Sequence, residues 1–310
     1  MQKNKLSIVI PVYFNEKNLL PLYQELKKTI LSRSEFAYEL IFVDDGSQDK
    51  SFDKLLELRK LDRQVKIIKL SKNFGSHVAI LAGLAHCSGD CSTVISADLQ
   101  DSPDIIVKMY QRWLAGHKVV LAVRADRQDS WLQARISNLY YRLMRKVALP
   151  NMPKGGFDCF LIDRAVIDII KNIEEKNSTL MGQILWCGFR TDIIHYVRKK
   201  REIGRSRWTF SKKIKLFVDS FTAFSYLPIR LMSLLGISIS FISFLFGIFV
   251  VINKIINGGD AIGWSSLMVA IAFLSGVQMT MLGIIGEYLW RNFDESKKRP
   301  IFIVEEKVGF

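Results

Sequence analysis

The sequence predicts an α/β fold: a mainly parallel sheet flanked by helices, followed by an amphipathic interfacial segment and two transmembrane helices. Three observations predict it. Over residues 1 to about 195, short apolar runs alternate with helix-spaced segments, the pattern of a parallel sheet covered on both faces. No ionisable side chain occurs between Arg230 and Lys254, or between Asp260 and Glu287. A strongly basic stretch, residues 198–215, stands just before the first of these gaps.

The elements follow in order. Residues 6–12 read as an apolar strand, and 19–31 have helical apolar spacing. Residues 40–43 form a strand that stops at Asp44-Asp45-Gly46-Ser47. A helix over 52–61, a strand over 65–70 and a small-residue helix over 77–86 come next. Residues 93–95 are a buried strand that stops at Ser96-Ala97-Asp98-Leu99-Gln100-Asp101. A helix over 105–115 and a strand over 119–123 complete the alternation. Cys87 and Cys91 read as packing thiols, and Trp113 and Trp131 as helix-packing residues.

The first uncharged gap is about 23 residues, enough to cross a hydrocarbon core of ~30 Å at ~1.5 Å per residue. The second opens with an interfacial Ala261-Ile262-Gly263, with Trp264 as a boundary anchor. Neither gap has a polar face, which argues against two soluble core helices. Two spans place both chain ends on one side. The loop 254–263 carries one Lys, whereas the flanks carry the 198–215 run and Arg291, Lys297, Lys298 and Arg299. The positive-inside rule therefore puts both termini in the cytoplasm. The expected organisation is a cytoplasmic catalytic domain over 1–208, an amphipathic juxtamembrane helix over 209–229, two spans over 230–290 and a cytoplasmic tail over 291–310.

The chain has 310 residues and a formal net charge of +14. Such a balance calls for an anionic partner: nucleic acid, a phospholipid surface or a phosphorylated substrate. Residues 198–215 hold nine Lys/Arg against one Glu. Phe210, Ile214, Phe217, Phe221 and Phe224 follow at three- and four-residue steps, one apolar helical face. A basic amphipathic helix abutting a span points to an anionic membrane surface rather than to nucleic acid. The four cysteines show no zinc or disulfide spacing and read as thiols in a reducing compartment. The N-terminus lacks the apolar core and cleavage site of a signal peptide.

Ligands of open α/β sheets bind beyond the carboxyl ends of the strands. Several strand ends here carry polar motifs: Pro11-Val12-Tyr13-Phe14-Asn15-Glu16, the Asp44–Asp45 turn, Ser71-Lys72-Asn73-Phe74-Gly75 and the Asp98 turn. Leu81-Ala82-Gly83-Leu84 joins them as a small-residue motif. An Asp at a strand end can hold a hard divalent cation through oxygen; such residues also commonly cap turns. Asp101-Ser102-Pro103 reads as a helix start. No glycine fingerprint follows the first strand and no P-loop is present, which excludes a dinucleotide oxidoreductase or a P-loop nucleotidase.

In their order these motifs resemble the family-2 glycosyltransferases of GT-A fold, and among them the polyisoprenyl-phosphate glycosyltransferases of the bactoprenol glucosyltransferase type. Lys200-Arg201-Glu202-Ile203-Gly204-Arg205-Ser206-Arg207-Trp208 is similar to that family's Arg-x-x-Gly-x-Ser-basic-aromatic segment. Gly286-Glu287-Tyr288-Leu289, followed by Arg299-Pro300, is similar to its ending after the second span. The resemblance covers nearly the whole chain. It implies a sugar nucleotide donor, a UDP-sugar with glucose as the best guess, together with Mg²⁺ or Mn²⁺ and a polyprenyl phosphate acceptor. It places Pro11, Tyr13, Glu16 and Asp45 at the nucleoside. Asp98 would bind the cation, with Gln100 as second contact. Arg124, Arg135, Arg201 and Ser206 would meet phosphates or acceptor, and Asp158 would lie near the sugar as a second catalytic residue. Inversion at the anomeric carbon is implied as well.

Two departures from the family stand out. Ser96 replaces the first acid of Asp-Ala-Asp, so a clamp of two carboxylates is not expected. Phe14 interrupts the usual Pro-x-Tyr-Asn-Glu, which bears on Glu16. Three other functions stay open: dolichol-phosphate mannose synthesis from a guanosine donor, processive polysaccharide synthesis, and non-enzymatic lipid binding. Against the second, Gln183-Ile184-Leu185-Trp186 lacks the Arg of Gln-x-x-Arg-Trp. A homo-oligomer is permitted but not required.

Overall fold

The structure is a computed structural model. It describes residues 3–32, 35–125, 135, 139, 141–146, 148–199, 219–220, 222–225, 227–257 and 263–310. The chain divides into two compact units, residues 1–221 with 299–310, and residues 222–298.

The first unit is built on an eight-stranded sheet. In chain order its elements are β1 (Lys5–Val12), α1 (Leu19–Leu26, prolonged by a π turn over Lys27–Leu31), β2 (Ala37–Asp44), α2 (Ser51–Leu61), β3 (Val65–Leu70) and α3 (Ser76–His86). Then come β4 (Cys91–Val94), α4 (Asp104–Leu114), β5 (Val119–Arg124), β6 (Cys159–Asp163), α5 (Arg164–Ile170), α6 (Leu180–Trp186) and β7 (Thr191–Tyr196). The second unit holds α7 (Leu227–Asn257) and α8 (Trp264–Ser296), and β8 (Val304–Val308) belongs to the first.

The strand order is β7-β5-β6-β4-β1-β2-β3-β8. The pairs β4–β1, β1–β2, β2–β3 and β5–β7 are parallel. β6 runs antiparallel between β4 and β5, and β8 antiparallel to β3. Each central strand is apolar on both faces, as a sheet covered on both sides requires. One face of β1, with Leu6, Ile8, Ile10 and Val12, joins Leu19 and Leu22 of α1 and Ile105 and Met109 of α4 in one buried cluster. The other face takes α3 at short range. A Cβ on Gly83 would strike Val9 and would lie 3.2 Å from Val43 Cγ2, so the small residues of Leu81–Leu84 serve packing, not ligand binding.

Glu39 fixes the opposite, amino-terminal edge of the sheet. It is fully buried on β2. Its Oε1 accepts from Ser7 Oγ of β1 and from the Ser88 amide, both at 2.6 Å. Its Oε2 pairs with Lys5 at 3.0 Å and Lys66 of β3 at 2.9 Å. Burial alone pushes this carboxyl up; the bonds from Ser7, Lys66, Ser88 and Lys5 outweigh it and bring its pKa down to about 2.

The expected tail over 291–310 is corrected. α8 continues to Ser296, and Val304–Val308 folds back as the sheet's edge strand beside β3. The sequence Val-Glu-Glu-Lys-Val suits an edge, with its three charges exposed and Val308 packed on the core. Lys69 holds Glu305 at 2.8 Å, and the Phe310 ring lies 4.9 Å from Lys66 Nζ and 5.8 Å from the His86 ring. Trp113 packs as expected: its ring lies 5.4 Å from Tyr110 and its Nε1 donates to Asp163 at 2.9 Å. Cys87, Cys91 and Cys159 are buried thiols, and burial pushes each of them up.

In the second unit, α7 and α8 are each long and apolar enough to cross a membrane, over Ile229–Val250 and Val269–Ser296. Their large side chains stand exposed, Phe241, Phe244 and Phe249 among them. An apolar surface of that extent marks a membrane or protein interaction surface. Residues 200–215 of the basic run and 209–218 of the expected amphipathic helix lie outside the described residues, as does Trp131.

Candidate active site

Strand order places the site. From β1 the chain winds one way through β2 and β3, while β4 lies on the other side of β1. The crevice between the carboxyl ends of β1 and β4 is therefore a topological switch point, where open α/β sheets bind ligands. The two segments that leave those ends are Tyr13–Glu16 and the Asp98 turn. β5 and β7 end on the same edge, and antiparallel β6 begins there. Asp45, Asp98, Arg124, Asp158 and Arg198 are thus brought to one edge by topology, although they span a hundred and fifty residues of sequence.

At the β1 end, Pro11 lies two residues past the last β4 partner, Val9 opposite Val94. The Val9 carbonyl faces β4, where it accepts from Ile95 at 3.2 Å. By alternation Pro11 faces the same side beyond the end of β4, so its missing N–H removes no ladder bond. The inserted Phe14 adopts a left-handed φ of 56°, which is costly for a bulky residue. The turn holds it there: Phe14 N donates to Ser47 Oγ at 3.1 Å, Tyr13 N to Asn15 Oδ1 at 2.9 Å and Asn15 N to Ser51 Oγ at 2.9 Å. The Tyr13 ring meets Phe14 edge-on at 4.7 Å. Glu16 accepts from the Lys50 amide at 3.1 Å, at the start of α2. Asp45 is buried, and its two oxygens accept from the amides of Phe74 and Gly75 at 2.7 and 2.9 Å. It shapes the 73–75 loop. Gly46 (φ 70°) packs so closely that a Cβ would lie 2.5 Å from the Lys72 backbone.

At the β4 end, Leu99 also takes a left-handed φ, 61°. Ser96 Oγ lies 2.7 Å from Asp98 Oδ1 and 2.6 Å from Asp101 Oδ2. Asp101 is buried and accepts from Tyr196 OH at 3.1 Å. Its reading as a helix start is corrected: α4 begins at Asp104, and Asp101 turns inward because Ser96 and Tyr196 satisfy its oxygens. The expectation of a single carboxylate is revised with it, since Asp101 brings a second acid to Ser96. Among the described residues no group of three His, Cys, Asp or Glu side chains is placed to hold a metal. Gln100 donates its amide to the Lys199 carbonyl at 3.2 Å, while Lys199 N donates to the Gln100 carbonyl at 2.9 Å. The Asp98 turn is thereby clamped to the chain leaving β7.

Arginines face these acids. Arg198 Nη2 is 3.6 Å from Asp98 Oδ2, and its Nε 3.2 Å from Asp101 Oδ1. Arg124, at the end of β5, forms a close ion pair with Asp158. Burial works against the Arg124 charge, but Asp158 and Tyr196 outweigh it and raise its pKa. Burial, with Cys159, Asp101 and Asp158 nearby, pushes the Tyr196 phenol well up, so it remains a donor. Gly155 and Gly156, at φ 84° and 72°, carry the loop into Asp158, and a Cβ on Gly156 would strike the Tyr141 ring. Arg135 is exposed, while Arg201 and Ser206 lie outside the described residues. Sequence reasoning missed Arg198 and Tyr196; their signal was a basic residue two positions past the end of a strand that reaches this edge.

Known proteins are similar to this chain over most of its length. The profile of Glycosyl transferase family 2 matches residues 7–171. The chain is 39% identical over 304 residues to an uncharacterized glycosyltransferase, YkcC, of Bacillus subtilis, covering 98% of this chain and 94% of that protein. It is 34% identical over 304 residues to the bactoprenol glucosyl transferase of Shigella phage SfV, covering 98% and 99%. A prophage bactoprenol glucosyl transferase homolog of Escherichia coli is 34% identical over 302 residues, covering 97% and 98%. The chain belongs to glycosyl transferase family 2: it is a glycosyltransferase built on a GT-A-type sheet, with its acidic turn at the switch point.

Proposed function

We propose that this protein transfers glucose from UDP-glucose to the phosphate of a membrane polyprenyl phosphate, with inversion, on the cytoplasmic face of the membrane. The observation that carries the reading is the acidic Asp98 turn at the switch point of a family-2 sheet, in a chain that also holds two membrane-length helices. The bactoprenol glucosyl transferases, similar over almost their entire length, support the lipid acceptor and the glucosyl group.

The donor set fits a hard divalent cation. Two carboxylates and a hydroxyl, all oxygen, meet at Ser96, and one hydroxyl proton cannot serve two carboxylates at once. Asp98 and Gln100 would hold Mg²⁺ or Mn²⁺, with diphosphate oxygens completing the shell. When bound, the cation neutralises charge on the leaving diphosphate. Tyr13, Glu16 and Asp45 would line the nucleoside beside Pro11. Arg124, Arg135, Arg201 and Ser206 would meet phosphates, donor or acceptor.

The nucleophile is an acceptor phosphate oxygen, which forms a bond to the anomeric carbon as the bond to the diphosphate oxygen breaks. A phosphomonoester has a second pKa of about 6 and is largely dianionic at neutral pH, so no strong base is needed. Asp158 accordingly orients the sugar or the acceptor from its ion pair with Arg124. The basic residues of 198–215 draw the domain to the anionic surface, at about 1 kcal/mol per cation near it.

Purified full-length protein, given polyprenyl phosphate in vesicles and a panel of sugar nucleotides, is expected to form a hexosyl-phosphoryl lipid from UDP-glucose only when Mg²⁺ or Mn²⁺ is present, as read by mass spectrometry of the lipid. Product from GDP-mannose alone would move the assignment to a mannose donor. A polymer in place of a single-sugar lipid would make it a processive synthase. Lipid binding without any transfer would leave a binding protein.

A further inference from the structure

We propose that Arg198 is the resident counter-cation of the Asp98–Asp101 pair while the donor is absent, and that a divalent cation entering with the nucleoside diphosphate takes its place. The inference rests on the proposed cation site at Asp98 and adds to it a residue that competes for that site from within the chain.

Three features carry it. First, Arg198 reaches both acids, but loosely. Its contacts are 3.2 Å to Asp101 and 3.6 Å to Asp98, longer than the ~2.7–2.9 Å of a committed guanidinium–carboxylate fork. Its Nε is buried and makes no well-directed hydrogen bond. This is an ion pair held by charge, and its geometry leaves the guanidinium exchangeable.

Second, the acids are positioned without it. Tyr196 holds Asp101, the Gln100 backbone N–H (3.3 Å) holds Asp98, and the Ser96 hydroxyl, within reach of both, donates to one of them at a time. The main chain beside Arg198 is fixed separately, by the two Lys199–Gln100 bonds. The guanidinium can therefore leave while acids and backbone stay in place.

Third, the charges favour exchange most when the diphosphate arrives. Two carboxylates against one guanidinium leave a net negative charge, which a divalent cation cancels. The displaced guanidinium then stands beside an incoming diphosphate, a ligand it can grip with two parallel N–H groups. Bare metal must compete with Arg198, whereas metal with nucleotide gives Arg198 a new partner.

The test is a titration of Mn²⁺ into full-length protein in detergent, read by loss of the free-ion electron paramagnetic resonance signal. Without nucleotide, Arg198→Gln is expected to bind Mn²⁺ about tenfold more tightly than wild type, within the ~5–150-fold range of coupled ligands. The gain should vanish in Arg198→Gln combined with Asp98→Asn. Arg198→Lys, which keeps the charge but loses the two-point reach, should show a smaller gain. If Arg198→Gln does not fold by circular dichroism, the Lys variant decides: a gain supports exchange and its absence overturns it. A purely structural Arg198 would weaken the fold and leave Mn²⁺ affinity unchanged, which overturns the proposal. If wild type binds Mn²⁺ with UDP in an Asp98-dependent way while Arg198→Gln alone shows no gain, only the exchange falls. If Mn²⁺ never binds in an Asp98-dependent way, the cation site falls, and the exchange with it.

Discussion

Asp98→Ala is expected to lower turnover by about 10²–10³-fold, the usual cost of removing one preorganised electrostatic group from a reaction that builds charge on a leaving group. Its side chain is only 12% exposed and sits in a turn whose next residue, Leu99, is held at positive φ. That turn leaves the carboxyl end of β4, beside β1. The melting temperature should barely move, because Asp98 lies outside the buried cluster that binds helices to sheet. Asp98→Asn keeps size and acceptor capacity but not charge, so it should fall almost as far. Steady-state rates of lipid product, with circular dichroism on the same samples, check this. A wild-type rate in Asp98→Ala would remove the site from the Asp98 turn.

Glu39→Gln is expected to give the largest loss of stability without touching the site. It removes the one acid between Lys5 and Lys66, which leaves two partly buried cations without their partner. Breaking a buried pair from one side costs about 3–5 kcal/mol. In the folded chain the Glu39 pKa is about 2, against an ordinary 4.5. A lowered carboxyl pKa stabilises the fold fully above the ordinary value, and that gain is lost as pH falls toward the folded value. At about 1.4 kcal/mol per unit the shift corresponds to about 3 kcal/mol at neutral pH. A melting point lower by on the order of 10 °C at pH 7 should follow for a unit of this size. The gap between variant and wild type should roughly halve by pH 3. An equal gap at both pH values would contradict the assigned network.

These two residues show what the sequence disclosed. Asp98 was legible because an apolar run ends on it and because its neighbours resemble a family motif. Glu39 was not: it reads as one charge at the start of a strand, and its partners Lys5, Ser7, Lys66 and Ser88 are assembled only when three strands and a turn come together. The strands β1 to β5 were legible from local patterning. β6, β7 and β8 were not, since their pairing depends on distant partners and β8 carries three charges in five residues. Asp101 was misread for a similar reason. Followed by Ser-Pro it looks like a helix start; its inward turn rests on Ser96 and on Tyr196, ninety-five residues away. The membrane-length helices were plain from the charge gaps, because a span must be nearly free of ionisable groups throughout.

The central claim is that the Asp98 turn binds the donor's diphosphate together with a cation. Calorimetric titration of UDP-glucose into the full-length protein, with and without Mg²⁺, tests it most directly. Binding that requires Mg²⁺ in wild type and is lost in Asp98→Ala is the predicted result. Binding of equal strength without the cation, or unchanged in Asp98→Ala, would contradict it.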